Sequence, residues 1–268
     1  MDKHCKHIVH RIQATKIKTE METKMIRLII TALFLLIFFI ISIPLMLIEL
    51  IIGLFNKDLQ KKSSLAIVSG AFRIVAFLCG VKLTVKGEEN VPKDEAVLYI
   101  GNHLSYFDVV LTYPRVPRPT GYIAKKEFLK IPFLSWWMLF LDCLFMDRSD
   151  VKQSAQVIFD AIDKIKSGIS ICIYPEGTRN KNEETLQEFH KGSFKPAQRT
   201  NCPIVPMVVT HTRDIFENHL PFIKSHHVVL EYLPPVRYNE LSKEDQKQVH
   251  EYFRNMIQEA YTRNLNEE

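Results

Sequence analysis

Residues 28–48 carry no charged side chain, and beyond Glu49 the apolar character continues to Phe55. A helix of that length reaches across the ~30 Å hydrocarbon core of a bilayer. It does not read as a cleaved signal peptide, because the run is too long and no small-residue cleavage site follows it. Pro44 predicts a kink or a re-entrant bend. A polar break over residues 56–64, with Lys57, Lys61 and Lys62, leads into a second apolar stretch, 65–79, interrupted by Arg73. Basic residues flank both sides of the first run, so charge asymmetry does not choose an orientation. Two arrangements fit: one spanning helix, or a two-helix hairpin dipping into one leaflet. Residues 1–24 are polar and basic, and read as a disordered or juxtamembrane arm. Met25-Ile26-Arg27 looks like a natural start, which makes the arm an expected upstream extension.

After Gly80 the pattern turns globular. Strands are predicted over 81–85, 96–100, 121–124, 169–174, 202–210 and 228–233, with helices over about 105–113, 150–167 and 242–264. Gly168 is the expected C-cap of the second of these helices. Strands alternating with helices indicate an α/β sheet. Residues 125–145, with Trp136 and Trp137, read as a core helix or as a membrane-interface anchor. The five cysteines are scattered, odd in number and free of Cys-x-x-Cys pairs. They read as reduced core thiols and not as a disulfide frame or zinc site. The net charge of +5 suits anionic lipid or anionic substrates and is too diffuse for nucleic acid.

No Gly-x-Ser-x-Gly elbow, His-Glu-x-x-His, Walker loop or dinucleotide fingerprint occurs, which disfavours serine hydrolase, zinc hydrolase and NTPase readings. Three polar segments follow apolar runs instead. Ala96-Val97-Leu98-Tyr99-Ile100 ends in Gly101-Asn102-His103, with Asp108 five residues after the histidine. Ser105 is a plausible N-cap with Asp108 at the acidic position of a capping box, so Asp108 is either a cap or the partner of His103. An imidazole can take a proton from an alcohol, and a carboxylate on its other nitrogen fixes the tautomer. Phe145-Met146-Asp147-Arg148 places a guanidinium just after an apolar run, either for a ligand or for a surface ion pair with Asp147 or Asp150. In Tyr174-Pro175-Glu176-Gly177-Thr178-Arg179, Gly177 lets backbone approach a ligand, Thr178 offers a hydroxyl and Arg179 has a fork suited to phosphate; a simple turn is the alternative.

Taken in order, with Val205-Pro206-Met207-Val208-Val209 fourth, these segments resemble the four-block signature of the glycerolipid acyltransferases, nearest to the bacterial 1-acylglycerol-3-phosphate acyltransferases. The likeness covers roughly residues 25–240, and Phe189-His190-Lys191-Gly192 sits where that family carries Phe-x-Lys-Gly. The chain departs from the family at Asp142, where Gly is frequent, at Tyr174, where Phe is commoner, and at Asn180, where Ser is common.

The resemblance implies His103 as general base on the lysophospholipid hydroxyl, oriented by Asp108, in direct attack on an acyl thioester. It implies Arg148, Glu176, Gly177, Thr178 and Arg179 as the glycerol-phosphate site, and Val205 and Pro206 as shaping the acyl pocket. No cofactor or metal is implied; acyl-CoA or an acyl carrier protein thioester is a co-substrate, and the partners are lysophosphatidic acid and the bilayer. The expected fold is an acyltransferase-type α/β sheet flanked by helices with an N-terminal two-helix membrane-anchoring segment. The expected divisions are an arm over 1–24, membrane helices over 25–80 and a catalytic domain over 81–268. A cytosolic acyl carrier favours the hairpin and a catalytic domain facing the cytoplasm at the cell membrane. Alternatives are another acceptor, such as glycerol-3-phosphate or a different lysophospholipid, a thioesterase, and a non-catalytic lipid-binding protein.

Overall fold

The structure, a computed structural model, describes residues 3–267. It opens with two long helices, α1 (Lys3–Phe55) and α2 (Lys57–Leu78). The segment 1–24, expected as a disordered arm, is helical from Lys3 onward, and Pro44 lies inside α1 without ending it. Asn56 divides the two helices: its backbone is extended and its side chain accepts from the Leu59 amide at 2.9 Å, which caps α2. The helices run antiparallel. Glu49 accepts from Ser63 and Ser64 at 2.8 and 3.1 Å near the bend, while Thr31 meets Cys79 at 3.6 Å at the far end.

An antiparallel helix pair is therefore present, and its two arms differ. Among the described residues, the stretch Lys18–Phe55 of α1 is the one long and apolar enough to cross a membrane. Its Leu33, Leu36, Ile40, Leu47 and Leu54 are all exposed. By contrast α2 buries Val68, Ala71 and Val75.

A mixed sheet follows. Its strands are β1 (Lys82–Lys86), β2 (Leu98–Gly101), β3 (Thr120–Lys125), β4 (Leu144–Met146), β5 (Ser170–Ile173), β6 (Pro203–Val209), β7 (His227–Tyr232) and the short β8 (Val236–Arg237). Helices α3 (Phe107–Thr112), α4 (Leu134–Phe140), α5 (Val151–Lys166), α6 (Lys195–Thr200), α7 (Lys243–Lys247) and α8 (Val249–Asn266) complete the chain. The strand order is β1-β7-β6-β2-β5-β3-β4, with β8 beside β6. Strands β4, β3, β5, β2 and β6 run parallel, whereas β7 is antiparallel to β6 and carries β1 with it. One edge of the sheet thus collects the C-terminal ends of five strands and the start of β7.

Side-chain alternation along the strands separates two cores. Leu98, Ile100, Ile171, Ile173, Ile204 and Val208 pack with Ala161 of α5, Ala197 of α6 and Phe253 of α8. Tyr99, Cys172, Val205, Met207 and Val209 point the other way, onto Met46 of α1, Val68 of α2 and Trp137 of α4. Each fully buried aliphatic side chain stabilises by about 1.5–3 kcal/mol, so the hairpin is one layer of the fold and not only an attachment. The neighbouring tryptophans differ. Trp137 is buried and donates to Ser42 of α1 at 2.9 Å, while Trp136 is exposed.

Asp142 reinforces this layer. It adopts a left-handed conformation (φ 57°) that Asp tolerates better than most residues, which accounts for a position where the family often has glycine. Its carboxylate pairs with Lys61 of α2 at 3.1 Å and with Lys164 of α5. The stretch 125–145 is not a single helix, because its end forms β4, a three-residue edge strand.

Candidate active site

The C-terminal edge of the parallel strands gathers the predicted residues. This is where α/β sheets bind ligands, since loops leaving neighbouring strands diverge there. His103 follows β2, Arg148 follows β4, and residues 176–179 follow β5.

His103 Nδ1 lies 2.7 Å from Asp108 Oδ2. The same oxygen accepts from the amides of Leu104 and Ser105 at 2.7 and 2.9 Å, and Asp108 Oδ1 accepts from the Thr212 hydroxyl at 2.6 Å. Asp108 is wholly buried. Its four donors supply the compensation that a buried carboxylate requires. The capping interpretation is also correct in part. Ser105 Oγ accepts from the Phe107 amide at 3.0 Å while Asp108 accepts from the Ser105 amide, a reciprocal box at the start of α3. One side chain caps the helix and holds the imidazole.

With Nδ1–H donated to Asp108, the other ring nitrogen, Nε2, is the basic one. Among the described residues it has no hydrogen-bond partner. The Tyr174 ring stacks on the imidazole, centroids 4.3 Å apart and planes 13° from parallel. An aromatic is needed there, and Tyr meets that need as Phe would.

Glu176 acts from behind. Oε1 accepts from the His103 amide at 2.7 Å and Oε2 from the Gln187 amide at 3.1 Å. The His103 carbonyl accepts from the Asn180 amide at 2.7 Å. Glu176 is buried, and burial pushes its carboxyl up to about 7 despite the two amide donors. It braces the His103 backbone from inside the fold. Gly177 has φ +72°, and a Cβ there would stand 3.1 Å from His190 Nε2. Backbone conformation and the His190 ring both favour glycine there. Thr178 is exposed.

Arg179 is held by Glu217, Nη1 to Oε1 at 3.1 Å, with its guanidinium 3.8 Å above the Tyr106 ring. Glu217 also accepts from the Tyr106 amide at 2.9 Å and from Ser105 Oγ at 2.6 Å. It thereby ties the first motif to the third. Arg148 is exposed and makes no ion pair among the described residues. Asp147 binds Lys126 and Ser149 instead, and Asp150 caps α5 through the amides of Lys152 and Gln153.

Val205 and Pro206 are buried inside β6, paired with Tyr99 and Ile100. They lie several residues before the catalytic edge, in the wall of the sheet. Thr212 and Glu217 are absent from the sequence expectations. Both sit on the connection between β6 and β7, more than a hundred residues from Asp108 and Ser105, which they hold, and no local spacing marks them.

The Acyltransferase family model matches residues 82–210, which span all four motifs. The 1-acyl-sn-glycerol-3-phosphate acyltransferase of Borreliella burgdorferi is 30% identical over 194 residues, 72% of this chain and 77% of that protein. The Saccharomyces cerevisiae protein of the same name is 29% identical over 65% of this chain and 57% of its own length. The crystal structure of the 1-acyl-sn-glycerophosphate (LPA) acyltransferase from Thermotoga maritima superposes with a TM-score of 0.72 at 23% identity, covering 88% of this chain and 97% of that one. That likeness is one of fold. With three of the four motifs on one sheet edge and the Borreliella relative matched over most of its length, the chain belongs to the acyltransferase family.

Proposed function

We propose that this chain is an O-acyltransferase that moves a fatty acyl group from a thioester to the sn-2 hydroxyl of 1-acylglycerol-3-phosphate, producing phosphatidic acid. The curated relatives named for this activity support the reaction. The observation that carries the mechanism is the His103–Asp108 pair, with Nδ1 engaged at 2.7 Å and Nε2 left over. His103 Nε2 takes the hydroxyl proton as the oxygen attacks the thioester carbonyl. The tetrahedral adduct collapses, the C–S bond breaks, and the imidazolium returns its proton to the departing thiolate. Asp108 keeps the tautomer and stabilises the transient imidazolium. No covalent acyl-enzyme forms.

Arg179 and Arg148 bind the acceptor phosphate, and Thr178 adds a hydroxyl beside them. Glu176 and Gly177 shape the loop that carries them, and Val205 and Pro206 back the acyl side. The thioester is that of CoA or an acyl carrier protein, with no other cofactor. The protein associates with membrane through α1, whose apolar side chains are exposed, and the catalytic edge faces the cytoplasm, where the acyl carrier is found. Purified protein given an acyl-CoA and lysophosphatidic acid is expected to release free thiol in proportion to phosphatidic acid. Thiol release without acceptor identifies a thioesterase instead, and turnover only with glycerol-3-phosphate or another lysophospholipid reassigns the acceptor.

A further inference from the structure

Residues 210–226 join β6 to β7, and three donor groups converge there outside the acyl-transfer machinery. His211 Nδ1 is 3.4 Å from Asp214 Oδ2, and His226 Nε2 is 3.9 Å from the same oxygen. All three ligand atoms lie within 4.8 Å of one another. Bonds of ~2.0–2.2 Å at a tetrahedral angle would set such donors about 3.4 Å apart. Two of the separations, 3.4 and 3.9 Å, are close to that value.

The outer contacts matter as much as the three donors. His226 Nδ1 is 2.8 Å from the His227 carbonyl, which only accepts, so the ring proton sits on Nδ1. That leaves the Nε2 lone pair facing Asp214 Oδ2, two acceptors turned toward each other unless a cation or a second proton stands between them. Asp214 Oδ1 in turn accepts from the Asn218 amide at 3.1 Å. A histidine fixed by a carbonyl and a carboxylate fixed by an amide are the supports that metal ligands characteristically have.

We propose that His211, Asp214 and His226 bind one divalent cation of the zinc class. Two imidazoles and one carboxylate favour zinc, cobalt(II) or nickel over magnesium or calcium, which prefer all-oxygen shells. The ion takes no part in acyl transfer. Its place in the fold indicates a clip: it joins the end of β6 to the start of β7 and closes the intervening loop, which reduces the conformational freedom of that segment. That loop carries Thr212, which holds Asp108, and Glu217, which holds Arg179. The clip thereby fixes the two residues that brace the base and the cationic fork.

The test uses the full chain in detergent, stripped with EDTA and free of any affinity tag. Cobalt(II) titration followed by visible absorption, with zinc competition measured by calorimetry, is expected to show one saturable ion per chain and a thermal midpoint raised by a few degrees. The variants His226→Gln and Asp214→Asn are expected to bind at least ~10-fold more weakly and to lose the thermal shift. His211→Asn serves as a third variant, because Asn accepts the left-handed backbone found there (φ 59°). Melts in EDTA confirm that each variant is folded. Absence of saturable binding by the parent chain, binding undiminished in the folded variants, or a thiolate charge-transfer band marking cysteine ligation would each overturn the proposal.

Discussion

The two charged ends of the catalytic edge are built in opposite ways. Around His103 the polar side chains of the first motif are engaged, apart from His103 Nε2. Asp108 accepts four hydrogen bonds, the His103 backbone is gripped at its amide by Glu176 and at its carbonyl by Asn180, and Tyr174 lies flat on the ring. At Arg148 the residue is exposed, has no ion pair among the described residues, and its neighbouring acids are committed elsewhere. Arg179 is intermediate, paired with Glu217 yet partly open. Proton transfer depends steeply on geometry, so the base must be in place before substrate arrives. A phosphate can gather flexible cations around itself, so that end can wait for its ligand. On the proposed mechanism the site is rigid where the proton moves and adaptable where the phosphate binds.

Four substitutions sharpen that contrast. Asp108→Asn removes the carboxylate from a fully engaged cluster and should lower kcat by roughly 10³–10⁴-fold through loss of tautomer control; steady-state kinetics on the folded variant would read it, and a loss below tenfold would break the contrast. Arg179→Ala should cost about 1.5–3 kcal/mol in kcat/KM, mostly as a higher KM for the phosphate-bearing acceptor. Arg148→Ala should raise the same KM only a few-fold and leave the thermal midpoint where it was, since exposed groups without partners contribute within about ±0.5 kcal/mol to stability.

The last effect is read in stability and not in turnover. The Glu176 carboxyl is raised by burial from its ordinary value to about 7. A group raised on folding stabilises fully below its unfolded pKa, and that contribution disappears as pH climbs through the folded value. Stability should therefore fall by up to about 3 kcal/mol between pH 4.5 and 8 on this account. Glu176→Gln should flatten that part of the profile in denaturant melts, while losing about 1 kcal/mol for the one amide it no longer satisfies. An unchanged slope in the variant would remove the assigned titration.

Much of the rigid end was legible in the sequence. The strand leading into His103, the capping relation of Ser105 and Asp108, and the grouping of three motifs on one edge all follow from apolar runs that end in polar residues. Glu176 was legible as a polar residue after a strand, while its hold on the His103 amide was not, because nothing local marks that contact. Thr212 and Glu217 were missed: their partners come together only when β6 is inserted beside β2, far along the chain. The hairpin was legible as two apolar segments. That α2 is a core layer was not, since its Val68 and Val75 fit a membrane helix as well as a buried one. β4 was missed because three half-buried residues at a sheet edge carry too short a pattern to register.

His103→Ala tests the central claim most directly, measured as thiol release from an acyl-CoA in the presence of lysophosphatidic acid. It deletes the base while leaving Asp108 three of its four donors. The account predicts turnover reduced by at least ~10²–10⁴-fold with the thermal midpoint and acceptor binding largely retained. Turnover equal to that of the parent chain, in a variant that is folded and binds lysophosphatidic acid, would contradict it.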